Sequence, residues 1–259
     1  MQHPRDVLQG PQAAATAIPV CDHYSGAPDR MQKSLQLQAA MTAEFGVCVF
    51  DVTLDCEDGA AVGAEAEHAA LVAQLVRGAA PEARVAARVH PVNHPAFSGD
   101  VATIAGEAGH RLCHVMLPKC ESVDDVLAAE RALERAGAQT LPLHVLIESP
   151  AAVQQAFVIA AHPRVQSLSF GLMDFVSAHA GAISASAMGS VGQFEHPLVV
   201  RAKLEIASAC HAHGKVPSHC VVTEFSDLAA LRSAAQQACS RFGFTRMWSI
   251  HPAQIRPIL

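Results

Sequence analysis

Eight short apolar runs, each followed by a polar turn and a helix-patterned stretch, constrain this chain more than any other feature. The runs cover residues 17–23, 47–54, 84–89, 114–117, 143–147, 165–170, 216–222 and 247–250, and several are rich in Val and Ile. Such runs suit parallel strands buried on both faces, although periodicity by itself also allows a short buried helix for some of them. The gaps carry helix signals. Ser122 with Asp125 forms a capping box ahead of Val126, Leu127 and Leu133, and Gly137 follows as a stop. Leu71, Val72, Leu75 and Val76 share a face before Gly78, and the stretch from Pro28 to Phe45 begins on proline and ends before Gly46. A last stretch, from Ser226, spaces Leu228, Leu231, Ala235, Cys239 and Phe242 helically. Eight strands alternating with helices predict a single (β/α)8 TIM barrel over residues 17–259, in preference to an open doubly wound sheet.

Length agrees, since one such barrel takes about 250 residues and the chain has 259. Residues 1–16 hold two prolines, a glycine and an Asp but no long apolar stretch, so they read as a flexible N-terminal arm and not a secretory signal. The net charge is −6, with no basic run and one Trp and one Tyr. That excludes a dedicated nucleic-acid surface, which needs clustered cations and stacking platforms. No apolar run reaches the ~18–20 residues of a membrane helix, so no membrane partner is expected. The eight cysteines form no C-x-x-C and mostly lie in apolar runs, as reduced thiols do; a cytoplasmic protein is expected.

In a barrel of this kind chemistry gathers where the strands end. Here those ends carry Asp22 and His23, then Asp55, Glu57 and Asp58, then Arg88 and His90, followed by Lys119, Glu148, Asp174, His219 and His251. Glu148 and Asp174 follow adjacent strands and can share one hard divalent cation, with water and substrate oxygens completing its shell. Equally, each can cap the helix that follows it. Arg88 is an ion-pair partner of Glu57 or Asp58, a fork for a substrate carboxylate or developing oxyanion, or both. The acidic turn DCEDGA either orders water around a metal or is solvated. Fifteen histidines offer no H-E-x-x-H, and no P-loop, G-x-G-x-x-G or G-x-S-x-G is present.

Read in order, VFDVTLDCEDGA, ARVHPVNHP, VMLPKCES, LIESPAAV, SFGLMDF and SIHPAQI resemble the D-L-E-D-A-V, R-V-N, L-P-K-x-E, I-E-T-x-x-G-V, F-G-x-x-D and I-H-P-x-Q-I motifs of the citrate lyase β-subunit/malyl-CoA lyase family, within the wider HpcH/HpaI aldolase superfamily. The resemblance implies Mg²⁺, or Mn²⁺, held by Glu148 and Asp174. It also implies that Glu57 and Asp58 bond the metal's waters and that Arg88 contacts the substrate oxygen or carboxylate. Arg30 and Lys33 fall where the family's basic residues follow the first strand, which implies substrate binding and a coenzyme A thioester. The implied reaction is aldol- or Claisen-type cleavage or condensation of a 2-oxo acid with an acyl thioester, in a homo-oligomer. The alternatives are a CoA-independent aldolase on a free hydroxy-keto acid and a non-catalytic barrel subunit that binds a small acid. Three departures stand out. CDHYSG replaces the V-P-G loop, His90 replaces the Asn after the arginine, and the sequence stops at Leu259, so either the protein lacks the C-terminal lid segment of many members or the sequence is part of a longer chain. The general acid or base is left unassigned.

Overall fold

The computed structural model describes residues 18–224 and 226–259. Residues 1–16, read as an arm, and Ala17 lie outside them. The strands are β1 (Cys21–Ser25), β2 (Phe50–Asp55), β3 (Val85–Arg88), β4 (Leu112–Leu117), β5 (Leu143–Ile147), β6 (Val165–Phe170), β7 (Val216–His219) and β8 (Arg246–Ser249). All pair in parallel, each with the next, and β8 closes on β1 through Cys21 beside Met247. The chain is a (β/α)8 barrel. Its principal helices are α1 (Pro28–Phe45), α2 (Glu65–Gly78), α3 (Val123–Arg135), α4 (Pro150–Ala161), α5 (Leu172–Ser177), α6 (Pro197–Ala212), α7 (Leu228–Phe242) and α8 (Pro252–Ile258). Short helical pieces over 97–108, including a π turn at Val101–Ala105, take the place of one long helix between β3 and β4.

Local signals explain most boundaries. Ser122 caps α3 with the expected box, its hydroxyl accepting from Asp124 N while Asp125 accepts from Ser122 N. Asp227, not Ser226, caps α7. The first strand starts four residues later than the apolar run, past Pro19, which has no N–H for a ladder. The seventh stops at His219 although Cys220 and Val222 remain buried. Apolar runs mark burial, and burial outlasts the hydrogen-bonded ladder. Among the described residues, all eight cysteines are free thiols, and no helix is long and apolar enough to cross a membrane.

Strand alternation sorts side chains into two environments. Val52, Leu54, Leu117, Leu143, Ile147, Leu168 and Phe170 face outward and pack under the helices, against Val126, Ile159, Ile206 and Leu231. Each such side chain contributes about 1.5–3 kcal/mol on burial. The inward residues form layers. Lowest lie Asp22, Asp51, His114, His144 and Arg246, all buried. Above them Met116, Leu146 and Trp248 make a separate apolar cluster with Tyr24 against it. Two residues further along their strands come Asp55, Arg88 and Glu148, at the C-terminal mouth.

Candidate active site

The mouth is organised around Arg88, the last residue of β3. Its Nε donates to Asp55 Oδ1 at 2.6 Å and its Nη2 to Asp55 Oδ2 at 3.0 Å, a bidentate fork across adjacent strands. Nη1 lies 3.0 Å from Glu57 Oε2. Nη2 also donates to the Tyr24 hydroxyl, which in turn donates to Asp55 Oδ2. The guanidinium carbon sits 4.6 Å from the centre of the Tyr24 ring. Burial opposes charge on Asp55, yet Arg88 more than offsets it and holds the carboxyl below its ordinary range. Asp55 also accepts from the backbone N–H groups of Glu57 and Gly59. A Cβ at Gly59 would stand 2.5 Å from Asp55 Oδ2 and 2.6 Å from the Tyr24 hydroxyl, so only glycine fits there.

Lys119, after β4, ties this cluster to the next. It is a non-glycine residue in the left-handed region, φ 49°, a conformation that persists where surrounding contacts impose it. Its N–H points at Glu148 Oε1. Its Nζ lies 2.5 Å from Glu57 Oε1 and 3.3 Å from Asp58 Oδ1. Burial works against the ammonium, but the bond to Glu57 outweighs it and raises its pKa.

Glu148 and Asp174 lie near enough at the mouth for the charge of one to act on the other. Ser149, not Glu148, caps α4 through Ala152 N, and Asp174 lies inside the first turn of α5, whose N-cap is Gly171. Neither carboxylate serves as a helix cap. Burial first, and the charge of Asp174 as well, push the Glu148 carboxyl up to about 8, despite its bond from Lys119 N. The Asp174 side chain takes no hydrogen bond or ion pair from the described residues. Gly171 is required by this approach, because a Cβ there would meet Glu148 Cβ and Oε2 at 2.5 Å. A buried carboxylate within range of a second one's charge, neither of them in an ion pair with a described residue, is a donor set of the kind a hard divalent cation takes. The residues fit Mg²⁺.

Another acidic and imidazole group, Asp22, His114 and His144, sits within the barrel with ligand atoms within 4.8 Å of one another. It suits a cation poorly. The two imidazoles stack at 3.5 Å and 11°, so no point lies in the plane of both rings. Asp22 Oδ2 is already held by Arg246 Nη2 at 2.8 Å.

The remaining sequence candidates separate. Glu57 joins the Arg88 cluster, whereas the Asp58 side chain is 55% exposed and meets only Lys119. Arg30 and Lys33 are exposed on α1 and line a cavity of about 570 Å³ shared with Tyr24, Gly59 and His251. His219 is buried between Phe194 and Phe244 in the helix layer, away from the mouth. His90 accepts a fixed place from Asp100, its Nδ1 2.6 Å from Oδ2, and stacks on His94 at 4.2 Å. Tyr24 carried no motif. Its one signal was its place two residues beyond Asp22 on an inward strand face.

The sequence profile of the HpcH/HpaI aldolase/citrate lyase family matches residues 34–252. The chain belongs to this family. It is a carbon–carbon lyase. The L-malyl-CoA/β-methylmalyl-CoA lyase of Cereibacter sphaeroides is 30% identical over 223 residues, spanning 79% of this chain and 69% of its own. A citrate lyase from Burkholderia xenovorans LB400 superposes with a TM-score of 0.84 at 48% identity, over 95% of this chain and 78% of that one. The fold is shared with a citrate lyase β subunit of M. tuberculosis solved with oxaloacetate and magnesium, at TM-score 0.73 and 23% identity, over 94% of this chain and 96% of that one. Within this lyase family, the D-L-E-D-like strand end corresponds here to Asp55 on the arginine and Glu57 bridging the arginine to Lys119, two jobs on one face.

Proposed function

We propose that this lyase makes or breaks the bond between a 2-oxo acid and the carbon next to an acyl thioester, with Mg²⁺ held by Glu148 and Asp174. The observation that carries the reading is the pair itself, two carboxylates at the mouth whose charges act on each other and neither of which makes an ion pair with a described side chain. Bound there, the ion supplies Lewis-acid polarisation of the oxo and carboxylate oxygens of the keto acid. The chain's own residues do the rest. Arg88 presents positive charge to the oxygen on which negative charge develops as the bond changes. Asp55 and Glu57 fix that guanidinium, and Lys119 fixes Glu57 while its backbone orients Glu148. The cavity beside β1 accommodates the thioester, with Arg30 and Lys33 at its rim for phosphate oxygens.

The test is turnover of malyl-, citramalyl- and citryl-thioesters, and of the corresponding free hydroxy acids, with and without Mg²⁺. Cleavage of a thioester that stops on chelation and returns with Mg²⁺ is the expected result. Metal-independent turnover refutes the metal reading, and cleavage of free acids alone moves the protein to the CoA-independent aldolases.

A further inference from the structure

The end of β1 is where this sequence leaves its family's V-P-G pattern, and Tyr24, the chain's only tyrosine, stands there. A guanidinium has five N–H bonds. Nε–H goes to Asp55, one Nη2–H is shared by Asp55 Oδ2 and the Tyr24 hydroxyl, which lie side by side, and one on Nη1 faces Glu57. One Nη1–H and one Nη2–H are left for a substrate. The edge shared by Nε and Nη2 is spent on Asp55, so a substrate oxygen can meet Arg88 only at these remaining N–H bonds. What decides where the remaining N–H bonds point is the roll of the guanidinium plane, and Tyr24 controls that roll from two directions. Its hydroxyl is wedged between Nη2 and Asp55 Oδ2, and its ring lies under the guanidinium carbon at 4.6 Å. The ring is itself backed by Trp248, stacked at 5.7 Å and 22°. Gly59 closes the remaining side with no room for a Cβ. The other edge of Tyr24 borders the cavity of Arg30 and Lys33.

We propose that Tyr24 is the positioning residue of Arg88, fixing the uncommitted N–H bonds of Nη1 and Nη2 toward the substrate oxygen from the wall of the adjoining cavity. The proposal rests on the lyase reading above, and its test is arranged so that the two fail separately. Tyr24→Phe removes only the hydroxyl and leaves the ring stacked on Trp248. The probes are kcat and KM for thioester cleavage and, independent of turnover, Mg²⁺-dependent binding of oxalate, a planar dianion that presents two oxygens as the carboxylate and oxo group of a 2-oxo acid do. Tyr24→Phe is expected to lower kcat ten- to a hundredfold with KM within twofold, and to weaken oxalate about tenfold. In an Arg88→Lys background the same change should weaken oxalate less than twofold, because the group it acts through is gone. Additive losses overturn the proposal, as does a Tyr24→Phe protein with a lower Tm and unchanged kcat per folded molecule. The second comparison suffices if Arg88→Lys does not fold. Wild-type protein that binds no oxalate with Mg²⁺ refutes the metal-site reading and takes the proposal with it.

Discussion

The barrel contains two polar layers built from the same residue types, separated by Met116, Leu146 and Trp248. In the interior layer, Arg246 Nη2 bridges Asp22 and Asp51 at 2.8 and 2.6 Å, and Arg84 takes the other oxygen of Asp51 at 2.5 Å. Thr53 satisfies Asp22 Oδ1, and burial keeps both histidines neutral. Every carboxylate there has a cation. At the mouth, Asp55, Glu57, Asp58, Glu148 and Asp174 face only Arg88 and Lys119, and the shortfall falls on Glu148 and Asp174. A balanced buried network specifies structure, and breaking it costs stability. An unbalanced one is relieved by a retained proton, as on Glu148, or by a bound cation, and the proposed reaction uses the second.

The largest expected effects exchange these two roles. Glu148→Gln should reduce Mg²⁺-dependent turnover by ~10³-fold or more, because several kcal/mol of charge stabilisation goes with the metal. Its Tm should hold or rise in the metal-free protein, since a desolvated carboxylate beside Asp174 is removed. Asp51→Asn should do the reverse. It leaves Arg246 and Arg84 without their shared counter-ion, and stability should fall by about 3–5 kcal/mol while activity per folded molecule stays near wild type. Denaturant melts and turnover measured on both variants check this. Equal loss of activity in the two would erase the distinction between layers.

Arg88→Lys crosses the boundary. A planar fork that neutralises Asp55 and carries Tyr24 and Glu57 cannot be replaced by an ammonium, so this variant should disturb the ion pairs and the proposed substrate contact together. A rate loss of about 10²–10³-fold is expected together with a measurably lower Tm. A stable but slow variant would assign Arg88 to substrate alone, and an unstable but fast one to the scaffold.

Much of this was legible in the sequence because it depends on local rules. The strand runs at 143–147 and 165–170 match β5 and β6, since short branched apolar runs between turn signals suit strands buried on both faces. Glu148 and Asp174 stood out as acidic residues ending adjacent strands. The deeper arrangement was not legible. Asp22 and Asp51 look like any strand acids until β8 closes the barrel and brings Arg246 between them. Tyr24 meets Arg88 only through closure of β1 on β2 and β2 on β3, a relation that no spacing along the chain encodes.

The two layers also differ in the sign of their pH dependence. Burial lowers His114 from 6.5 to about 3 and carries His144 well below its ordinary value. The unfolded chain takes up protons that these folded imidazoles refuse, so their contribution is complete above pH 6.5 and is lost as pH falls toward 3. Glu148 is raised from 4.5 to about 8, so the folded state holds its proton longer. That contribution is complete below pH 4.5 and is lost as pH rises through 8. Each group changes the unfolding free energy by about 1.4 kcal/mol per pH unit inside its window. Thermal melts of metal-free protein should therefore lose slope below pH 6.5 in His114→Gln, and between 4.5 and 8 in Glu148→Gln. Mg²⁺ should restore wild-type stability most on the alkaline side. Identical slopes in wild type and both variants would contradict the assignment.

The smallest effect sharpens the mouth from within, by separating two neighbours that sequence reasoning treated alike. Glu57 and Asp58 are consecutive acids on one strand end, but Glu57 is buried and bridges Arg88 Nη1 to Lys119 Nζ, whereas the Asp58 side chain is 55% exposed and 3.3 Å from Lys119 alone. An exposed ion pair contributes about 0–1 kcal/mol and weakens with salt. Asp58→Asn should therefore change turnover by no more than about threefold, a difference that added salt removes because screening already does what the substitution does. Glu57→Gln leaves the buried Arg88 and the partly exposed Lys119 short of charge, and for the buried guanidinium losing one partner costs several kcal/mol. It should slow the enzyme far more and at every salt concentration. Turnover of the two variants at low and high ionic strength decides the matter. If Asp58→Asn proves as damaging as Glu57→Gln and insensitive to salt, Asp58 turns inward during the reaction, and the working mouth carries one more carboxylate than the resting geometry presents.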